Sequence, residues 1–261
     1  MSSRIHPTAL IEPGATLHET VEVGPFAVIG ESVSIAAGTR IGAHAVIQGR
    51  VTLGQDNLIF PGAVIGLEPQ DVAYRGESSQ VVIGDRNQFR EYVTIHRATQ
   101  GDAVTRIGND NLLMVQAHVG HNCCLEDHIT IANGVSLGGY VHVESRVVIG
   151  GMAGVHQWVR VGKLAMVGAL SKITRDVPPF MIVDGNPPRV KGLNKVGLAR
   201  NGVEDYAALR AAYRLLYQSK EPFRDALTQL SQHNGGGSVA ALCCFLEGSQ
   251  QPGRRGATSV G

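Results

Sequence analysis

Large apolar residues recur along this chain at every sixth position. The series starts at Ile5 and runs through Ile11, Leu17, Val23, Ile29, Ile35, Ile41, Ile47, Leu53, Ile59 and Ile65. It resumes in the same phase at Ile83, Phe89, Ile95, Ile107, Leu113, Val119, Leu125 and Ile131, and continues to Ile173, with only Asp71, Glu77 and Gly101 out of character. The following residue is often glycine (Gly24, Gly30, Gly42, Gly120, Gly138), and three positions later stands a small or β-branched residue such as Ala27, Val33 or Ala45. A period of six belongs to neither a helix nor a flat strand. It fits a chain that turns a corner every six residues, with one bulky side chain inward per side and glycine where the bend needs unusual dihedrals. Three sides close a coil of eighteen residues, and coils stack at about 4.8 Å, the spacing of neighbouring strands. The pattern predicts a mainly β protein, with a left-handed parallel β-helix over residues 1–183.

Two polar stretches, near 66–82 and 97–106, interrupt the repeat. Loops thrown out of a rigid solenoid are where binding residues gather. After Pro178-Pro179 the hexads stop, and Asp184-Gly185-Asn186-Pro187-Pro188 leads into a different texture. Ala208, Leu209, Ala212, Leu215 and Leu216 form a helical stripe within Glu204 to Tyr217. Glu221 to Leu230, with Pro222 at its start, reads as a second helix, and Val239 to Leu246 as a third after Gly235-Gly236-Gly237. Residues 184–250 therefore form a small helical domain that covers the open edge of the last coil, and 251–261 a disordered tail.

Composition agrees with a repeated backbone geometry: there are 33 glycines, and aromatic residues make up only 5%. A net charge of +1 gives no global pull toward nucleic acid, although the segment from Arg160 to Arg200 is strongly basic. No apolar run is long enough to cross a membrane, and the start lacks the apolar core of a signal peptide, which points to a cytoplasmic protein. The cysteines come as adjacent pairs, Cys123-Cys124 and Cys243-Cys244. Neighbours pair poorly as disulfides, and the spacing of a structural zinc knuckle is absent.

Candidate chemistry concentrates between Leu112 and Leu125, where His118, His121, Asn122, Cys123 and Cys124 crowd together. Stacking by eighteen places Gly139 and then Gln157 above His121, Gly138 and His156 above Gly120, and Tyr140 and Trp158 above Asn122. A base with bare backbone N–H groups one coil away suits attack on an acyl carbonyl. The thiols are most simply wall filling. Two other readings stay open: a trimeric zinc hydratase with His96, His118 and His121 as ligands, and a non-enzymatic structural solenoid.

Several motifs carry a family resemblance. They are Ile83-Gly84-Asp85-Arg86-Asn87, Val93-Thr94-Ile95-His96-Arg97, Asp110-Asn111-Leu112-Leu113-Met114, Ile149-Gly150-Gly151-Met152, Val155-His156-Gln157, Asp176-Val177-Pro178-Pro179, and Gly192-Leu193-Asn194 with Gly197-Leu198. Over essentially its whole length the chain resembles the UDP-N-acetylglucosamine O-acyltransferases of lipid A biosynthesis. The resemblance implies a homotrimer with each active site in a cleft between neighbouring prisms. It implies His121 as the general base that takes a proton from the sugar 3-hydroxyl as it attacks a 3-hydroxyacyl thioester, and the N–H of Gly139 as the oxyanion donor. Asp71, His118, His156 and Gln157 match residues around the acceptor and acyl chain, and Asn194 and Arg200 the part that meets nucleotide and carrier. The donor rides on the 4'-phosphopantetheine of acyl carrier protein, an acidic partner suited to the basic end, and neither a bound cofactor nor a metal is implied. Three positions depart from the family pattern: Asn122 replaces a usual aspartate, Tyr140 a histidine and Ala73 a lysine. Asn122 can orient an imidazole but cannot stabilise imidazolium by charge. The other two changes alter acceptor contacts, so an amino-sugar acceptor stays open. Ala169 falls where the family adjusts acyl length, which implies a shorter chain than glycine would admit.

Overall fold

The computed structural model describes residues 5–233 and 237–260. Met1–Arg4, the Gly235-Gly236 part of the expected helix break and Gly261 lie outside them. Among the described residues, short strands stack into three sheets of nine, eight and ten, with every third strand in the same sheet. The first face runs from Leu10–Ile11 to Lys172–Ile173, the second from Thr16–Leu17 to Arg160–Val161, and the third from Glu22–Val23 to Arg189–Leu193. The result is a parallel β-helix. From Val23 onward the apolar hexad residues point inward and are buried, so the prism is filled by its own aliphatic ladder.

The two loops keep the ladder in phase. Ile65 pairs with Ile95 and Ile95 with Val119 on the first face, while Leu53 pairs with Ile83 and Ile83 with Ile107 on the second. Both loops leave from the corner between those faces. Strand pairing trims them to 68–79 and 97–103, because Gln80–Ile83 and Val104–Ile107 pair along their full length. Arg97 ties the loops together: it donates to the Gly66 carbonyl at 3.1 Å and to the Tyr74 hydroxyl at 3.0 Å, and pairs with Glu68 at 3.2 Å.

Glycine plays two parts: Gly14, Gly38, Gly62, Gly66 and Gly134 take left-handed dihedrals at bends, as expected, but most glycines directly after a hexad residue do not. The left-handed dihedrals fall two residues after the glycine position, on Phe26, His44, Tyr92 and Met152 at one corner and on Asn122, Tyr140 and Trp158 at another. The hexad glycines are needed because the next coil comes too close for a side chain. A β-carbon on Gly42 would lie 2.8 Å from the Pro61 nitrogen, and one on Gly120 would lie 2.8 Å from the Leu137 oxygen. The corner between the second and third faces is held by buried asparagines. The Asn87 amide donates to Asn57 Oδ1 at 3.0 Å and to the Gly108 carbonyl at 2.9 Å, and its oxygen accepts from the Asn111 N–H at 3.0 Å.

Past the hexads the third sheet continues. Met181–Asp184 pairs in parallel with Met166–Val167, and Arg189–Leu193 returns antiparallel to it, so the expected boundary at 183/184 cuts through a strand. Four helices follow among the described residues: α1 (Lys195–Arg200), α2 (Tyr206–Gln218), α3 (Phe223–His233) and α4 (Gly237–Ser249). Leu209, Ala212 and Leu216 are the buried stripe of α2, and α4 buries Val239, Leu242, Phe245 and Leu246. Asp205 accepts from the Ser238 N–H and hydroxyl, both at 2.7 Å, which satisfies the start of α4. Residues 251–260, expected to be disordered, instead pack on the last coil. Asp176 bridges Ala257, the Val190 N–H donates to the Ser259 carbonyl, and Thr258 is buried. The anchor is Arg254, whose guanidinium grips the buried Asp176 carboxylate at 2.8 Å, a pairing that a reading of apolar periodicity does not register. The edge of the solenoid is thus closed by backbone from the tail as well as by helices.

Candidate active site

The corner that throws out both loops also carries His121, and one coil is stacked on the next there as the repeat requires. The Tyr140 N–H donates to the His121 carbonyl at 2.9 Å, and the Trp158 N–H to the Gly139 carbonyl at 3.0 Å. Gly139 lies directly against the imidazole: a β-carbon there would sit 2.5 Å from His121 Nε2. The Gly139 N–H makes no hydrogen bond to any described residue. Tyr140 and Trp158 stack face to face at 3.7 Å and 8°, and the Tyr140 ring meets His121 edge-on at 5.3 Å.

The tautomer of His121 follows from one backbone donor. The Thr99 N–H can only donate, and it lies 3.1 Å from the Asn122 side chain, so the atom facing it is the amide oxygen. That same oxygen lies 2.9 Å from His121 Nδ1, so Nδ1 carries a proton, and in the neutral ring the lone pair is on Nε2. Nε2 faces Asp71 Oδ2 at 4.0 Å. Asp71 is set in its loop by accepting the Ala73 N–H at 2.9 Å, so position 73 contributes backbone rather than a side-chain charge. Nε2 shares its surroundings with a carboxylate and an unengaged N–H.

His118, on the first face, lies beside this group. Its Nδ1 is 2.8 Å from the Thr94 hydroxyl. Burial, reinforced by the neighbouring charges of His96 and His121, pushes its pKa down to about 4, so it is neutral across the physiological range. His96 turns Nδ1 to the Glu68 carbonyl. Among the described residues no group of three or more histidine, cysteine, aspartate or glutamate side chains is arranged to hold a metal ion. Cys123 is fully buried, donates to the Gly138 carbonyl at 3.2 Å and has its pKa pushed up to about 12 by burial, which makes it an inert wall thiol.

His156 and Gln157 stand on the same corner two coils from His121, beside a shallow hollow of about 380 Å3 that they line with Gly138 and Lys172. The remaining expected residues are elsewhere in the chain. Ala169 is exposed at the corner between the third and first faces. Arg200 is exposed at the end of α1. Asn194 is buried, and its amide is committed as the cap of that helix, accepting from the Gly197 N–H at 3.0 Å and donating to the Leu164 carbonyl at 2.9 Å. Thr99 and Thr105, whose hydroxyl accepts the Asn122 N–H at 2.8 Å, belong to the site and carry no motif in the sequence. The offset of twenty-four residues that the second loop imposes, from Ile95 to Val119, is the signal that would have brought Ala98 and Thr99 level with Asn122 and Cys123.

Comparison with known proteins matches this arrangement to one family. A profile of the family described as "Udp N-acetylglucosamine O-acyltransferase; Domain 2" matches residues 176–258. An acyl-[acyl-carrier-protein]–UDP-N-acetylglucosamine O-acyltransferase of Synechocystis sp. is 54% identical over 98% of this chain and 94% of that protein. Its namesake in Gloeothece citriformis is 53% identical over the same shares. Among solved structures, the enzyme of Acinetobacter baumannii superposes with a TM-score of 0.92 at 37% identity, covering 98% of this chain and 99% of the other. UDP-N-acetylglucosamine acyltransferase of Arabidopsis gives 0.87 at 32%, covering 98% and 100%. The chain is an acyltransferase and belongs to the acyl-[acyl-carrier-protein]–UDP-N-acetylglucosamine O-acyltransferase family.

Proposed function

We propose that the protein moves a 3-hydroxyacyl group from acyl carrier protein to the 3-hydroxyl of UDP-N-acetylglucosamine in lipid A biosynthesis, with His121 as general base. The observation that carries this reading is the pairing of an unprotonated Nε2 on His121 with the unengaged N–H of Gly139 against the same ring. Nε2 takes the proton of the sugar 3-hydroxyl while its oxygen attacks the thioester carbonyl. The resulting oxyanion is met by the Gly139 N–H. Collapse breaks the carbon–sulfur bond, and the leaving thiolate of the carrier's 4'-phosphopantetheine takes the proton back from His121, which yields ester and thiol. Asp71, 4.0 Å from Nε2, offsets the imidazolium charge that Asn122 cannot.

His118, His156, Gln157 and Tyr140 line the acceptor and acyl side of this centre. In a homotrimer, a neighbouring prism would bring Asn194, Arg200 and Ala169 toward a corner from which a single chain keeps them apart. The basic segment from Arg160 to Arg200 suits an acidic carrier, and the reaction is placed in the cytoplasm. No helix among the described residues is long and apolar enough to cross a membrane. The test offers the protein UDP-N-acetylglucosamine and its 3-amino analogue with 3-hydroxyacyl carrier proteins of several chain lengths. The reading expects ester formation on the 3-hydroxyl. Turnover of the amine alone, or of neither sugar, would contradict it.

A further inference from the structure

Asn122 has two ways to sit in its site, and only one supports a base at His121. With the amide reversed, its NH2 group would face Nδ1. The imidazole proton would then move to Nε2, and the atom meant to accept the substrate proton would become a donor. A carboxylate at this position could not be reversed in this sense, because both of its oxygens accept. For an amide, the choice is made by whatever stands behind it.

Behind it stands Thr99, buried at the start of the second loop. Asn122 Oδ1 accepts from the Thr99 N–H at 3.1 Å and from the Thr99 hydroxyl at 3.0 Å. The hydroxyl has one proton, and Oδ1 can only accept it. The Tyr140 hydroxyl, 3.1 Å from Thr99 Oγ1, is therefore the donor in that contact. Tyr140 is itself fixed by its stacking on Trp158 at 3.7 Å. The proton positions from Tyr140 through Thr99 and Asn122 to His121 all follow from the one backbone donor, and all favour a lone pair on Nε2. The titratable groups facing the imidazole are Asp71, His118 and Tyr140.

We propose that Thr99, backed by Tyr140, is a positioning residue of the acyl transfer, holding the Asn122 amide in the orientation that leaves His121 Nε2 unprotonated. This rests on His121 being the base. A hydrogen bond of this kind shifts an equilibrium by about fivefold to tenfold. Thr99→Val keeps the backbone donor and removes the hydroxyl, one of the two donors that hold the amide, so kcat should fall measurably and by no more than that factor. KM for both substrates should stay unchanged, and the fall should be the same at every pH on the plateau, because tautomer populations do not depend on pH. Thr99→Ser should restore kcat, and Tyr140→Phe should lower it.

The deciding arm is an Asn122→Asp background, in which orientation no longer matters and Thr99→Val should cost little. An equal loss in both backgrounds, an unchanged kcat in the Thr99→Val single variant, or a rise in KM alone would overturn the proposal. If the valine variant does not fold, Tyr140→Phe in the two backgrounds carries the same comparison. His121→Ala separates the levels. If that variant stays active, the base assignment itself fails; if it is inactive while Thr99→Val behaves as wild type, only the positioning role fails.

Discussion

The side-chain oxygen of Asn122 lies 2.9 Å from Nδ1 of His121 and accepts its proton without carrying a charge of its own. The amide can orient the ring but adds no electrostatic support once the ring is protonated. The nearest carboxylate is Asp71, on the opposite side of the imidazole at 4.0 Å from Nε2. The carboxylate that can offset a charge on this ring thus lies on its Nε2 side and not behind Nδ1.

Restoring a carboxylate behind the ring should change the pH profile before it changes anything else. Asn122→Asp places a negative charge against Nδ1, which favours the protonated imidazole, so the basic form is lost at a higher pH. The acid limb of kcat/KM should move upward by about one unit. Profiles of the wild type and the variant, measured side by side, decide it.

Gly139→Ala should separate folding from activity. The added β-carbon would land 2.5 Å from Nε2, so the imidazole must swing away from both Asn122 and the Gly139 N–H. Loss of an aligned base and oxyanion donor predicts a fall in kcat of about a hundredfold or more. Thermal unfolding should change far less than activity, since the atoms that the β-carbon meets belong to a side chain and not to the backbone.

His118 should make the fold sensitive to acid. Its folded pKa, pushed down to about 4, lies below the 6.5 of an unstrained histidine. Between those values the unfolded chain binds a proton that the folded chain refuses, so stability falls as pH drops through that window. His118→Gln should flatten the dependence of the unfolding midpoint on pH between about 6.5 and 4.

The tail clasp should be a large single contribution to stability. Asp176 is buried and receives Arg254, the Ser249 hydroxyl and the Arg160 N–H. Arg254→Ala leaves that carboxylate without its cation, at a cost of about 3 kcal/mol. Denaturant unfolding of this variant, and of Arg254→Ala with Asp176→Asn, should show the second change recovering part of the loss.

Much of the fold could be read directly from the sequence because a solenoid converts linear spacing into vertical stacking. The hexad from Ile5 to Ile173 predicts the buried ladder, and an offset of eighteen places Gly139 on His121 and Trp158 on Tyr140 before any coordinates are known. What the spacing misread is most of the glycines that directly follow a hexad residue, because their cause lies in the neighbouring coil rather than in their own dihedrals. The tail was missed because the contact that orders it, Asp176 with Arg254, joins two polar residues far apart in the chain. Thr99 was missed for a similar reason: the second loop changes the offset to twenty-four, and a lone threonine carries no pattern.

The central claim is that Nε2 of His121 takes the acceptor proton, and the most direct test is the rate of acyl transfer by His121→Ala. With saturating UDP-N-acetylglucosamine and 3-hydroxyacyl carrier protein, kcat should fall by about a thousandfold or more, with an unchanged unfolding midpoint. A variant that folds normally and keeps a substantial fraction of wild-type turnover would contradict the account.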